Sequence, residues 1–319
     1  MSDVTLVEVA PRDGFQVVKP WIATAHKIDV IEALAAAGFQ RMEIGAYVSP
    51  KAIPQMADID DILTTATLPN TMQLQVLVPN GKGLERALAA GVRDICWVVS
   101  VSDSHNQNNV RRSVEQSLND FENAWHMHGR DVRRLRFNLA TTFDCPFQGR
   151  TGEADVTAVI ERVLHNVTAV EFGLCDTTGR AATDHVESLS GSLIETYGSS
   201  DVTFAFHGHD TYNLGVANAL AAYRSGVRVF DGAAAGLGGC PFAPGASGNT
   251  ATEDLVFAFE HMGVATGVDL AALLAAADLA YAVAPEQAGG RIRTVPRQRA
   301  LSGFGAKTVG LPLSATAAE

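Results

Sequence analysis

A (β/α)8 TIM barrel is the fold this sequence predicts, and three observations predict it. Short apolar segments alternate with longer helical patterns, eight times over, between Thr5 and Gly263. No Gly-x-Gly-x-x-Gly turn opens a helix after a strand, as an open doubly wound sheet would usually require. Residues with metal-binding or acid–base chemistry recur at strand ends, which is where a barrel of this kind builds its active site.

The strands expected in order are Thr5–Ala10, Phe39–Gly45, Gln73–Val78, Asp94–Val101, Leu135–Ala140, Ala169–Cys175, Val202–Phe206 and Val229–Ala233. Each is a short apolar run, consistent with strands buried on both faces. Between them Thr24–Ala37, Gly83–Ala90, Asn106–His126, Glu153–His165, Thr183–Thr196 and Leu214–Arg224 read as helices. The barrel is expected over residues 1–264. Residues 265–319 form a C-terminal helical extension packed on it, with a helix over Asp269–Val283, a basic segment bearing Arg291, Arg293, Arg297 and Arg299, and a frayed tail.

Of the 319 residues 47% are hydrophobic and 18% charged, which supports a large buried core and excludes a disordered chain. A formal net charge of −11 argues against nucleic acid or an anionic membrane as partner. No targeting segment or membrane span is expected, because Val4–Val9 near the start reads as a strand and no apolar run is long enough. Four dispersed cysteines, Cys96, Cys145, Cys175 and Cys240, suggest free thiols in a reducing compartment, hence the cytoplasm.

The chemistry centres on Phe204–Asp210, which reads Phe-Ala-Phe-His-Gly-His-Asp. Side chains two apart on a strand share a face, so His207 and His209 aim two imidazoles at one point across Gly208. The competing reading of the pair is two histidines on a surface loop. Asp13 at the end of strand one and Asn249 after strand eight add oxygen donors. Such a mixed set suits an open Mg²⁺ or Mn²⁺ site better than a closed thiolate zinc site. Arg12 lies beside Asp13, placed to stabilise an oxyanion. Glu43 lies on strand two and Asp176 at the end of strand six. Cys240 sits in a loop with Gly236, Gly238, Gly239, Gly245 and Gly248, where a thiol can act as general acid or base under a loop able to close over the site. These parts fit metal-assisted C–C bond cleavage or formation next to a carbonyl.

On these segments the chain resembles the 3-hydroxy-3-methylglutaryl-CoA lyase family of metal-dependent TIM-barrel lyases and synthases. The matching stretches are Val7-Glu-Val-Ala-Pro-Arg-Asp-Gly-Phe-Gln16, Val48–Met56, His207-Gly-His-Asp-Thr-Tyr212, Gly236-Leu-Gly-Gly-Cys-Pro241 and Gly245–Asp254. The cysteine loop is the most specific of them, since it separates the lyases from the related synthases. The resemblance implies a divalent cation (Mg²⁺ or Mn²⁺) held by Asp13, His207, His209 and Asn249. It implies Arg12 at the thioester enolate, Cys240 as proton donor, and Glu43 and Asp176 in the catalytic site. Lys19 is implied at the CoA phosphates, with Gly173 and Glu253 also on the substrate side. An acyl-CoA thioester substrate, a homodimer and a place in leucine degradation follow from the same likeness.

Two stretches depart from the family pattern. Ile44-Gly45-Ala46 stands where the family has Thr-Thr-Ser, and Gly173-Leu174-Cys175-Asp176 where it has Ser-Leu-Gly-Asp. Lost hydroxyls and small residues predict a roomier, less polar acyl pocket. The competing functions are a synthase or aldolase of the same superfamily and a catalytically silent, metal-stabilised binding barrel. Intact Arg12, Asp13 and Cys240 speak against the latter.

Overall fold

The computed structural model describes residues 2–239 and 248–303. Eight parallel strands close into a barrel, in the order β1-β8-β7-β6-β5-β4-β3-β2. They are β1 Thr5–Glu8, β2 Arg41–Ala46, β3 Gln73–Val78, β4 Asp94–Ser100, β5 Arg134–Ala140, β6 Val170–Asp176, β7 Val202–Gly208 and β8 Val229–Gly232. The predicted TIM barrel is therefore observed, strand for strand. β7 runs two residues further than expected, which brings His207 and Gly208 into the sheet itself.

Helices follow the strands: α1 Thr24–Ala36, α2 Ile59–Thr65, α3 Gly81–Ala89, α4 Asp103–Val110, α5 Val114–His128, α6 Glu153–Leu164, α7 Thr183–Tyr197, α8 Gly215–Arg224 and α9 Thr252–His261. The single helix expected over 106–126 is two. Arg111, at φ 58°, ends α4 in the left-handed region, and Ser113 starts α5 with a capping box to Gln116. Asn106 braces the break by donating from Nδ2 to the carbonyls of Arg112 and Ser113. The short α2 was not expected, since seven residues carry too little periodicity to read. A two-residue antiparallel pair, 144–145 with 149–150, decorates the loop after β5.

Apolar side chains fill the layer between barrel and helices. An aromatic row runs along it: Trp97 and Phe137 each meet Phe121 edge-on at 5.2 and 4.9 Å, Phe137 meets Phe172, and Phe172 stacks on Phe204 at 5.9 Å. The lumen is different, because charged side chains cross it. Arg41 of β2 reaches Glu171 of β6 with two bonds of 2.8 and 2.7 Å. Arg136 of β5 reaches Asp231 of β8 with two of 2.9 and 2.8 Å. Neither pair of strands is adjacent, so both bridges span the interior.

After the barrel, α10 (Leu270–Val283) lies against α1 and the turn at 234–236. The basic segment then returns along it. Arg297 pairs with Asp278 at 2.5 Å, and the Arg293 guanidinium stands 4.0 Å over the Tyr281 ring. Among the described residues no helix is long and apolar enough to cross a membrane.

Candidate active site

β1 ends in a single π turn, Ala10–Gly14, in which the Val9 carbonyl accepts from the amides of Arg12, Asp13 and Gly14. Turns of this type insert a residue into a regular path and recur at functional sites. Here the turn sends two consecutive side chains into the barrel mouth. Arg12 donates from Nε to Glu43 of β2 and from Nη1 to Asp13. Asp13 faces the end of β7, where alternation has put His207 and His209 on one side, ring centroids 5.1 Å apart. The Asp13 Oδ2 atom lies 3.9 Å from His207 Nε2 and 3.5 Å from His209 Nε2. One ligand atom from each of these three buried residues falls within 4.8 Å of the others.

Asn249 joins from the far side of the loop after β8. A backbone bridge pairs it with His209, and its Nδ2 donates to Asp13 Oδ2 at 2.8 Å and to the Leu237 carbonyl at 2.9 Å. Its Oδ1 is buried and has no hydrogen-bond partner among the described residues. An unmet buried acceptor costs about 1–3 kcal/mol, which a cation at this point would offset. One carboxylate, two imidazoles and one amide oxygen fit a hard or borderline divalent cation. The imidazoles are prepared for it, because each Nδ1 faces an acceptor: Asp231 Oδ2 at 3.0 Å for His207 and the Asp176 carbonyl at 3.2 Å for His209. The proton belongs on Nδ1 in both, leaving Nε2 as a ligand atom. Burial alone would raise Asp13, but Arg12 and the two histidines outweigh it and hold this carboxyl well below the usual carboxylate range.

The other expected residues divide. Glu43 is at the site: it anchors Arg12 and accepts from Gln75 Nε2 at 2.8 Å. Lys19 is exposed on the loop after β1, on the same face of the barrel. Asp176 meets the cluster through its backbone carbonyl, while its carboxylate accepts from the amides of Arg180 and Ala181 and caps the loop after β6. Burial lifts that carboxyl to about 6. Glu253 lies beneath the turn at 234–236, with Oε2 accepting from the Ala235 amide at 3.1 Å and Oε1 unpartnered among the described residues, and burial pushes it up to about 8. Cys240 lies outside the described residues.

The expected extra room is absent at both glycines. A Cβ at Gly45 would overlap Ile59 Cδ1, and one at Gly173 would overlap Asn138 Oδ1, with Arg136 Nε 3.2 Å away. Neighbouring side chains occupy the space that the small residues release. In register, Asn138 and Gly173 lie one layer below Cys175 and His207, so the site has a filled floor.

Sequence reasoning missed the lumen network of Arg41, Gln75, Arg136, Glu171 and Asp231. A signal was present. Barrel strands buried on both faces should be apolar throughout, yet Arg41-x-Glu43 and Arg134-x-Arg136-x-Asn138 place polar residues at every second position. It missed Glu8 as well, which ties β1 to β8 by accepting from the amides of Ala10 and Ala234 and from the Thr252 hydroxyl.

A closed parallel barrel with this cluster on its C-terminal rim has the architecture of a carbon–carbon lyase, and the comparisons with known proteins agree. The HMGL-like family model matches residues 3–280, and the chain belongs to that family. It is 41% identical over 288 residues to an (R)-citramalyl-CoA lyase of Chloroflexus aurantiacus, spanning 87% of this chain and 90% of that protein. It is 39% identical over 280 residues to a hydroxymethylglutaryl-CoA lyase of Bacillus subtilis, spanning 86% and 91%. Among solved structures, an HMG-CoA lyase from Acinetobacter baumannii in complex with coenzyme A and 3-methylmalate superposes with a TM-score of 0.84 at 36% identity, covering 97% of both chains. The chain is thus a hydroxymethylglutaryl-CoA-lyase-like enzyme that cleaves a carbon–carbon bond.

Proposed function

We propose that the enzyme cleaves a 3-hydroxy-3-methylacyl-CoA thioester to acetyl-CoA and a keto acid, with Mg²⁺ or Mn²⁺ as cofactor. The observation that carries this reading is the convergence of Asp13, His207 and His209 within 4.8 Å beside the Arg12 guanidinium. Asp13, His207, His209 and Asn249 Oδ1 would hold the cation. When bound, it supplies Lewis acidity to the substrate's 3-hydroxyl and carbonyl oxygens. The chain's own residues do the rest. Arg12, fixed by Glu43 and Asp13, offers its remaining N–H groups to the thioester oxygen, where negative charge collects as the C2–C3 bond breaks. The hydroxyl proton leaves to solvent water, C2 gains one from the Cys240 thiol in this reading, and water returns a proton to the thiolate, so that each turnover leaves the protein as it began. Lys19 meets the CoA phosphates.

The filled floor favours a compact acyl group. Citramalyl-CoA and 3-hydroxy-3-methylglutaryl-CoA share the tertiary methyl carbinol and differ by one methylene before the distal carboxylate. Asn138 fills the floor beside Gly173, so the shorter thioester is the expected better substrate. One methylene is worth about 1–3 kcal/mol, or roughly 10–200-fold in kcat/KM. Measuring acetyl-CoA release from both thioesters with Mn²⁺ and with excess EDTA tests the whole reading. Full activity in EDTA removes the metal, and a ten-fold or greater preference for the glutaryl compound removes the compact pocket.

We further propose that residues 265–319 extend the barrel domain of residues 1–264, and that the enzyme works as a cytoplasmic homodimer in the breakdown of branched carbon skeletons such as that of leucine. The free buried thiols of Cys96, Cys145 and Cys175 support the compartment. The basic segment is better read as structural than as a CoA site, since Arg293 and Arg297 are engaged with α10.

A further inference from the structure

We propose that Asp231 and Arg136 are positioning residues for His207, and that they make it a stronger metal ligand than its neighbour His209. The inference rests on the metal reading of the site and concerns residues that no ligand would touch. His207 Nδ1 lies 3.0 Å from Asp231 Oδ2. Asp231 in turn accepts two bonds from the fork of Arg136, at 2.9 and 2.8 Å. Both residues are buried in the lumen.

This geometry fixes three things. An ionised carboxylate can only accept, so the ring proton of His207 is held on Nδ1 and the Nε2 lone pair is turned toward Asp13. The two parallel bonds from Arg136 set the plane of the carboxylate, and through it the angle of the imidazole. A charged acceptor also grips the Nδ1–H more firmly than a neutral carbonyl does, so the ring is held more rigidly at the angle a ligand needs. His209 provides the internal comparison: among the described residues its Nδ1 faces the neutral backbone carbonyl of Asp176, at 3.2 Å. Two histidines of one His-x-His motif are thus supported unequally.

The rest of the lumen holds this pair in place. Arg136 Nε donates to Asn138 Oδ1 at 2.9 Å, and its Nη1 lies 3.5 Å from Glu171, which Arg41 grips from the opposite wall. Charges alternate along the path Arg41, Glu171, Arg136, Asp231, which ends at the His207 ring. A carboxylate in so dry a place is tenable only with its cation beside it.

The test is Mn²⁺ binding to the full-length protein, followed by the EPR signal of the free ion, with melting temperatures of the metal-free proteins alongside. Asp231→Asn leaves a neutral acceptor and makes His207 resemble His209, so Kd should rise about 10-fold. Asp231→Ala leaves none, and Kd should rise toward 100-fold, the range such supporting contacts command. Arg136→Gln alone strands a buried carboxylate and threatens folding. The double variant Asp231→Asn/Arg136→Gln removes both charges together and should bind Mn²⁺ as Asp231→Asn does. In the metal-free protein, ¹⁵N spectra should show the His207 tautomer mixed in Asp231→Ala and fixed in wild type. If wild type binds Mn²⁺ and both Asp231 variants bind it within about two-fold, the inference fails and the metal site stands. A lowered melting temperature with unchanged Kd assigns the pair to fold support alone and also overturns it. If wild type binds no Mn²⁺, both readings fall.

Discussion

Arg12 is held between two carboxylates, Glu43 through Nε and Asp13 through Nη1, in a pocket closed to water. Burial pushes its guanidinium pKa down, but the two acids outweigh this, so the group stays a cation throughout the working range. A guanidinium can satisfy both partners and still present N–H groups to a substrate oxygen, whereas a lysine has one nitrogen for all three. Arg12→Lys should therefore lower kcat about 10²–10³-fold, the usual loss when a preorganised oxyanion donor goes, with a smaller effect on KM. A kcat within about three-fold of wild type would remove Arg12 from the reacting atoms. At this scale legibility in the sequence depended on chemistry. Arg12, Asp13, His207 and His209 stand out as adjacent charges and a His-x-His pair at strand ends, a pair that alone fits a surface loop as well, and Asn249 stands out by its place after strand eight. Asp231 and Arg136 do not, because a charge on a strand gains its meaning only from the opposite wall of the barrel, which pairing across closure brings near. Gly45 and Gly173 misled in the other direction: a small residue says nothing about which neighbour moves into its place.

The loop between β1 and α1 carries Lys19, and its shape is imposed by a different element. Gln55, from the turn before α2, donates through Nε2 to the carbonyls of Val18 and Pro20 and accepts from the Ile22 amide. Lys27 of α1 is fully buried beneath, donating to the Gln55 carbonyl at 2.6 Å and to Asp58 at 2.8 Å. These bonds replace the backbone partners that an irregular loop lacks. If Lys19 serves the CoA phosphates, its effect depends on this brace. Lys19→Ala should raise KM for the thioester more than it lowers kcat, and Gln55→Ala, which touches no substrate, should raise KM in the same sense by loosening the loop. Steady-state kinetics on both variants decides it: an unchanged KM in Lys19→Ala takes the loop out of the site, and an unchanged KM in Gln55→Ala alone shows that the loop holds its shape unaided. Elements as such were well marked in the sequence, since eight apolar runs separated by helical periods leave little choice. Their breaks were not. The α4–α5 interruption rests on Ser113 and Asn106, whose capping bonds are local and do not disturb the hydrophobic period.

The whole molecule carries buried carboxylates of two opposite kinds, and these set how its stability follows pH. Asp231 and Glu171 are lowered, burial being outweighed by Arg136 and His207 for the first and by Arg41 and Arg136 for the second. Asp13 belongs with them. Their contribution is present above the unfolded carboxyl range, near 4, and is lost as pH falls through the still lower folded values. Glu8 and Glu253 are raised by burial to about 7 and about 8. With unfolded values near 4.3, the folded protein binds more protons than the unfolded chain between about pH 4.3 and 8. Their contribution is therefore full below about pH 4 and declines as pH rises through 7 and 8. His209, where Asp13 outweighs the downward push of burial, acts in the same direction. The metal-free protein should melt at lower temperature at pH 9 than at pH 6. Glu253→Gln isolates one source of that slope, because an amide keeps an oxygen for the Ala235 N–H but never ionises. Its melting temperature should fall less across the same interval and should exceed wild type at pH 9 by about 2 °C or more. Melting curves in EDTA at pH 6, 7, 8 and 9 give both slopes. Parallel curves for the two proteins would mean that Glu253 is already ionised in the folded protein across the interval, as it is in the unfolded chain, and that burial under the turn at 234–236 does not raise its carboxyl.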